Sequence, residues 1–139
     1  MPGLERFVDA QDAVYPVALR ELRAGHKRTH WIWYIFPQLT GLGFSERSRF
    51  YGIVSIEEAR DYLAHPVLGP RLVACTQAMI DHADASALDI LGSPDDAKFR
   101  SSMTLFRRVP GADPIFKRAL DQFFDGREDS RTLEMLGER

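Results

Sequence analysis

The chain has 139 residues, 45% hydrophobic and 27% charged, a size and balance that suit one domain with a full core and lie far from the composition of disordered chains. Lysine and arginine number 18 against 20 aspartates and glutamates, a formal charge of -2, so there is no surplus of cations to grip duplex nucleic acid along its phosphates. The longest apolar run, 31–36, falls far short of the ~20 residues that cross a bilayer, and a single cysteine, Cys75, excludes an internal disulfide.

The opening Met1-Pro2-Gly3-Leu4-Glu5-Arg6 lacks the apolar stretch of a secretion signal. A cytoplasmic protein with no membrane association is therefore expected. Leu19 and Leu22, in a stretch of good helix formers closed by Gly25, predict a helix from about Pro16 to Ala24. Thr29 to Phe36 is harder, because a dense run of Trp31, Ile32, Trp33, Tyr34, Ile35 and Phe36 suits a buried strand and a buried helix equally by periodicity. As a strand it would turn Gly41-Leu42-Gly43 into a nucleotide-binding glycine loop, but the third glycine is missing and no second strand–helix pair follows. Helix signals in every other segment favour a short central helix buried on all sides.

Downstream, helix starts recur. Ser55-Ile56-Glu57-Glu58 has the spacing of a capping box and predicts a helix over 56–64, ended by His65-Pro66. Leu68, Leu72, Cys75, Met79 and Ala83 recur at three- and four-residue steps, which predicts an amphipathic helix over 67–83 with Cys75 in the core. Ser93-Pro94-Asp95-Asp96 supplies a cap, a proline at the first helical position and acids in the first turn, ahead of a helix through Phe99, Met103 and Phe106. Asp113-Pro114 repeats that start before Ile115 to Phe124, with Gly126 as the stop, and Ser130 caps a short last helix ending near Gly137. The expected fold class is all-α: a compact multihelical single domain spanning 1–139 around a short buried central helix at about 29–36.

Several separated motifs stand in a recognisable order: His30-Trp31-Ile32-Trp33-Tyr34-Ile35-Phe36-Pro37-Gln38, then Gly41-Leu42-Gly43, His65-Pro66-Val67-Leu68-Gly69, and Lys98-Phe99-Arg100-Ser101-Ser102-Met103-Thr104-Leu105-Phe106. Together they resemble the bacterial domain of unknown function 1810 family over nearly the whole chain. The resemblance implies a compact multihelical fold with a buried central helix. Members are sometimes labelled calpastatin-like, but calpastatins are long disordered inhibitors, so that label carries no function to a folded domain.

The residues themselves offer several candidate groups. Trp33 presents a large face for a planar ligand, and His30, polar at the edge of an apolar segment, could donate a hydrogen bond or act as a base. Gln38 to Ser45 leads into a helix carrying Arg47 and Arg49, where exposed amides and positive charge could hold an anion. Lys98, Ser101 and Ser102 share one helix face, either as a donor-rich surface with a lysine-assisted serine or as small residues permitting close helix packing. His26 and His30 stand four apart, but Gly25 argues against a continuous helix there, and no metal site and no cofactor are expected. The reading that gathers these residues is a domain binding a small anionic, nucleotide-like ligand, with hydrolysis as a further option. The alternative is a non-enzymatic protein-interaction domain of unknown partner. Convergence of His30, Gln38 and Lys98 on one concave pocket would favour the first.

Overall fold

A computed structural model describes residues 3–137. Among the described residues there are nine helices: α1 (Glu5–Ala24), α2 (Ile32–Ile35), α3 (Glu46–Phe50), α4 (Ile56–Ala64), α5 (Leu68–Ile80), α6 (Ala87–Leu91), α7 (Asp95–Arg107), α8 (Ile115–Phe124) and α9 (Ser130–Leu136). They contain no strand, only an isolated parallel bridge between Leu39 and Ile53. None of the helices is long and apolar enough to cross a membrane.

Two helices organise the core. α5 packs against α1, α4 and α8, and α7 against α4, α6, α8 and α9. The buried faces follow the apolar periods, with Leu68, Leu72, Cys75 and Met79 on α5 and Phe99, Met103 and Phe106 on α7. Burying one such side chain stabilises the fold by roughly 1.5–3 kcal/mol. The four-residue α2 rests on α1, α5 and α7, and Phe36 at its end meets Phe99 edge-on at 4.8 Å. Gly69 lets α5 start directly under α4, since any Cβ there would strike the Leu63 carbonyl.

Several expected boundaries are corrected. α1 begins at Glu5 and runs through Pro16, which the sequence had suggested as its start. A proline inside a helix removes one amide donor and costs about 3 kcal/mol, and burial of Phe7, Gln11, Ala18 and Leu22 at four- and seven-residue steps carries α1 through it. α2 spans only Ile32–Ile35 and is not buried on every side: Ile32, Ile35 and Phe36 point inward, while Trp33 and Tyr34 are half-buried at its margin. α5 ends at Ile80, leaving Ala83 exposed. Ser55 caps α4 by accepting the Glu58 amide, but the Glu58 carboxylate takes the Val54 amide and pairs with Arg6 instead of closing a box. The closed capping box lies unforeseen at Ser86 and Asp89, opening α6. Pro94 precedes α7 without a side-chain cap from Ser93, and Asp129, one residue before Ser130, caps α9.

Candidate functional site

The margin of α2 is where polar chemistry collects. Trp33 is approached by cations from two separate helices: the Arg47 guanidinium of α3 lies 5.0 Å from its ring centroid and the Lys98 ammonium of α7 lies 5.2 Å away. Among the described residues no carboxylate forms an ion pair with Arg47, Arg49 or Lys98. The indole Nε1 of Trp33 is buried and has no hydrogen-bond partner, which is uncommon for a buried donor.

Ile32 and Trp33 from α2, Phe36 at its end, Ser48 and Tyr51 from α3 and its end, Gln38 and Lys98 line a slot. About 10 Å³ of it is open to a water-sized molecule, room for about one water. Outside the slot, and sharing Tyr51 with it, an open recess of about 600 Å³ is lined by Tyr34, Glu46, Arg47, Arg49, Phe50 and Tyr51. That volume lies within the range of small-molecule sites.

Local sequence explains how the parts are held. The Ser45 side chain accepts the Ser48 amide at 3.1 Å and starts α3, and it also meets the Ser48 hydroxyl at 3.0 Å. Gln38 is fixed against the far end of α3 because its carbonyl accepts the Ile53 amide and the Thr40 amide returns to the Ile53 carbonyl, both at 2.9 Å. Glycine is needed at Gly43, where a Cβ would lie 2.5 Å from the Ser48 hydroxyl oxygen. Burial and the neighbouring Tyr34 hold the Tyr51 phenol above its ordinary value of 10, against the pull of Arg47 and Arg6. Tyr51 therefore faces the slot as a neutral hydroxyl at physiological pH.

Trp33 itself is held from behind. The Glu21 carboxylate of α1 gathers the loop before α2: its Oε1 accepts the Arg28 amide at 2.9 Å, the Thr29 amide at 3.1 Å and the Trp31 indole N–H at 2.9 Å, and its Oε2 accepts the Thr29 hydroxyl at 2.8 Å. Burial pushes this carboxyl up, but those donors outweigh it and hold it at about 2. On the other side, the Gln11 side-chain amide donates to the Tyr34 carbonyl at 2.6 Å and to the Tyr62 hydroxyl at 3.1 Å.

Of the residues expected at a site, Trp33, Gln38, Arg47 and Lys98 come together, and Ser45 acts on the slot through Ser48. His30 is exposed on the loop before α2 and does not line the slot, so two of the three residues whose convergence was the discriminating feature meet there. Ser101 is buried and returns its hydroxyl to the Ala97 carbonyl at 3.2 Å, while Ser102 is fully buried with an unpartnered hydroxyl; neither lines the slot. Arg49, expected beside Arg47 at the helix start, lines the recess, whereas sequence reasoning missed Ser48, Phe50 and Tyr51, although extending a helix from the Ser45 cap would have placed Arg47 and Tyr51 one turn apart. Among the described residues no group of three or more His, Cys, Asp or Glu is arranged to hold a metal ion.

The model of the family described as "Protein of unknown function (DUF1810)" matches residues 2–136. The chain belongs to the DUF1810 family. Its fold is similar to the crystal structure of the conserved hypothetical protein Rv1873 from Mycobacterium tuberculosis, with a TM-score of 0.95, 48% identity, and 98% of this chain and 97% of that chain covered. A comparison with curated proteins finds no match. Membership thus secures the fold and assigns no chemistry.

Proposed function

We propose that this DUF1810 protein binds a small anionic ligand at the mouth of the Trp33 slot. The observation that carries this reading is the pair of cations on one indole with no carboxylate paired to either. Arg47 and Lys98 both lie close to the Trp33 centroid, so the two charges are within about 10 Å of each other and an anion at the ring margin is attracted by both. Gln38 and the neutral Tyr51, which also line the slot, carry uncharged donor groups.

Hydrolysis draws no support from this arrangement. The hydroxyls at the slot bond one another, Ser45 to Ser48, and no histidine or carboxylate stands among the residues that line it. A second reading, a docking surface for another protein, draws on Phe44, which is 79% exposed in the loop ahead of α3. It predicts that Phe44→Ala removes binding of that protein partner while Lys98→Ala does not.

The test is thermal melting of the wild type and of Lys98→Ala with phosphate, pyrophosphate, mononucleotides and phosphosugars. A ligand at 100 times its dissociation constant adds about 2.7 kcal/mol, which is several degrees for a domain of this size. At least one anion should raise the wild-type midpoint and leave that of a folded Lys98→Ala unchanged. An unmoved wild type across the whole panel overturns the anion reading.

A further inference from the structure

The slot accounts for an anion, but not for the aromatic wall that continues beyond it. Trp33, Tyr34, Tyr51 and Phe50 form a continuous row, with centroids 5.8, 4.7 and 4.9 Å apart and the last two pairs edge-on. Three members of that row, Tyr34, Tyr51 and Phe50, line the open recess, and Phe50 keeps 49% of its surface exposed there. The same recess is lined by Arg47 and Arg49 of α3 and, among the described residues, by one carboxylate, Glu46.

Resting on the anion reading above, we infer that the ligand is a free nucleoside monophosphate, with its phosphate at Arg47 and Lys98 beside Trp33 and its base against Phe50 and Tyr34. Each part of such a ligand meets complementary chemistry. Guanidinium groups take phosphate oxygens as forked donors. The base presents a π-face to the exposed rings, and Glu46 offers an acceptor for ribose hydroxyls. Because the slot admits only about one water, the base stays in the open recess and the slot orders the phosphate end. A longer nucleic acid strand gains little, since the adjoining recess that shares Phe50 and Tyr51 holds two acids, Glu5 and Asp9, against one cation, Arg6, which is already paired with Glu58.

The experiment is isothermal titration calorimetry of the full chain with adenosine 5′-monophosphate, adenosine, ribose 5-phosphate, inorganic phosphate and a short oligoadenylate. Base stacking on an aromatic side chain predicts about ten-fold tighter binding of adenosine monophosphate than of ribose 5-phosphate. Phe50→Ala, at a half-exposed position whose backbone contact to Arg6 is kept, should erase that advantage and leave ribose 5-phosphate binding unchanged. Arg47→Ala should weaken both phosphate ligands alike. Equal affinity for adenosine monophosphate and ribose 5-phosphate overturns the nucleotide inference and leaves the anion reading standing. Adenosine binding as tightly as its monophosphate, or no binding by any of the ligands, removes the anion reading together with this one. An oligoadenylate binding more tightly than the monophosphate overturns the free mononucleotide in favour of a strand.

Discussion

Removing the Glu21 carboxylate tests both the fold's energetics and its link to the slot. Lowering a carboxyl from its ordinary 4.5 to about 2 corresponds to about 3 kcal/mol of stability at neutral pH, and solvent screening reduces this to roughly 2–3 kcal/mol. Since the folded value is depressed, this stability is fully present above pH 4.5 and is lost as pH falls through about 2. Glu21→Gln is the informative variant, because its single oxygen can still take the three N–H donors on Oε1 and its amide can donate to the Thr29 hydroxyl. It keeps the shape and removes the charge. Glu21→Ala goes further and leaves the Trp31 indole N–H, in a side chain only 1% exposed, with no acceptor, for a total loss of about 3–4 kcal/mol. Urea denaturation of the wild type and both variants between pH 7 and pH 2 measures this. The gap between wild type and Glu21→Gln should be constant down to about pH 5 and then close steadily towards pH 2. A gap that does not change with pH would show that the carboxylate charge contributes nothing and refute the reasoning.

Gly43→Ala should destabilise the chain by about 1–3 kcal/mol in the same denaturation assay, because its new Cβ would lie 2.5 Å from the Ser48 hydroxyl and 2.7 Å from the Ser48 Cβ, and it should weaken any anion-dependent thermal shift. Gln11→Leu removes the donor to the fully buried Tyr62 hydroxyl and to the Tyr34 carbonyl, with an expected loss of about 1–3 kcal/mol read from the urea midpoint. Burial pushes the Cys75 thiol up to about 12, so a thiol reagent at pH 8 should label none of it in the native chain and all of it in denaturant.

What the sequence made legible was punctuation. Ser55, Asp113-Pro114 and the apolar steps of α5 and α7 mark helices because caps and periods are local chemistry, readable within a turn or two. The first half of α1 escaped notice because Pro16 mimics a helix start, and only the burial of Phe7 and Gln11 against distant segments shows that the helix continues through it. The site divides in the same way. Trp33, Gln38, Arg47 and Lys98 stood out as a large ring, an amide and cations near predicted helix ends. Ser101 and Ser102 fit the packing alternative that the sequence left open beside the donor-rich face: one returns its hydroxyl to the preceding turn and the other is wholly enclosed. His30 misled because the orientation of its loop is set by Glu21, seven to ten residues earlier in sequence than the donors it collects.

That loop shows where control of the slot resides. A helix of four residues has no stability of its own, because nucleation fixes several residues for a single hydrogen bond. α2 therefore exists only through what holds its flanks: Trp31 on Glu21, the Tyr34 carbonyl on Gln11, and Phe36 against Phe99. Glu21 and Gln11 belong to the same helix, α1, and neither lines the slot, yet between them they fix the residues on either side of Trp33. Arg47 and Lys98 arrive from α3 and α7, so their common target is positioned by a third element that carries no charge to the ligand. Loosening α1's hold at either position should weaken anion binding through the placement of Trp33 while leaving both cations intact, a coupling that a surface patch of arginine and lysine would not show.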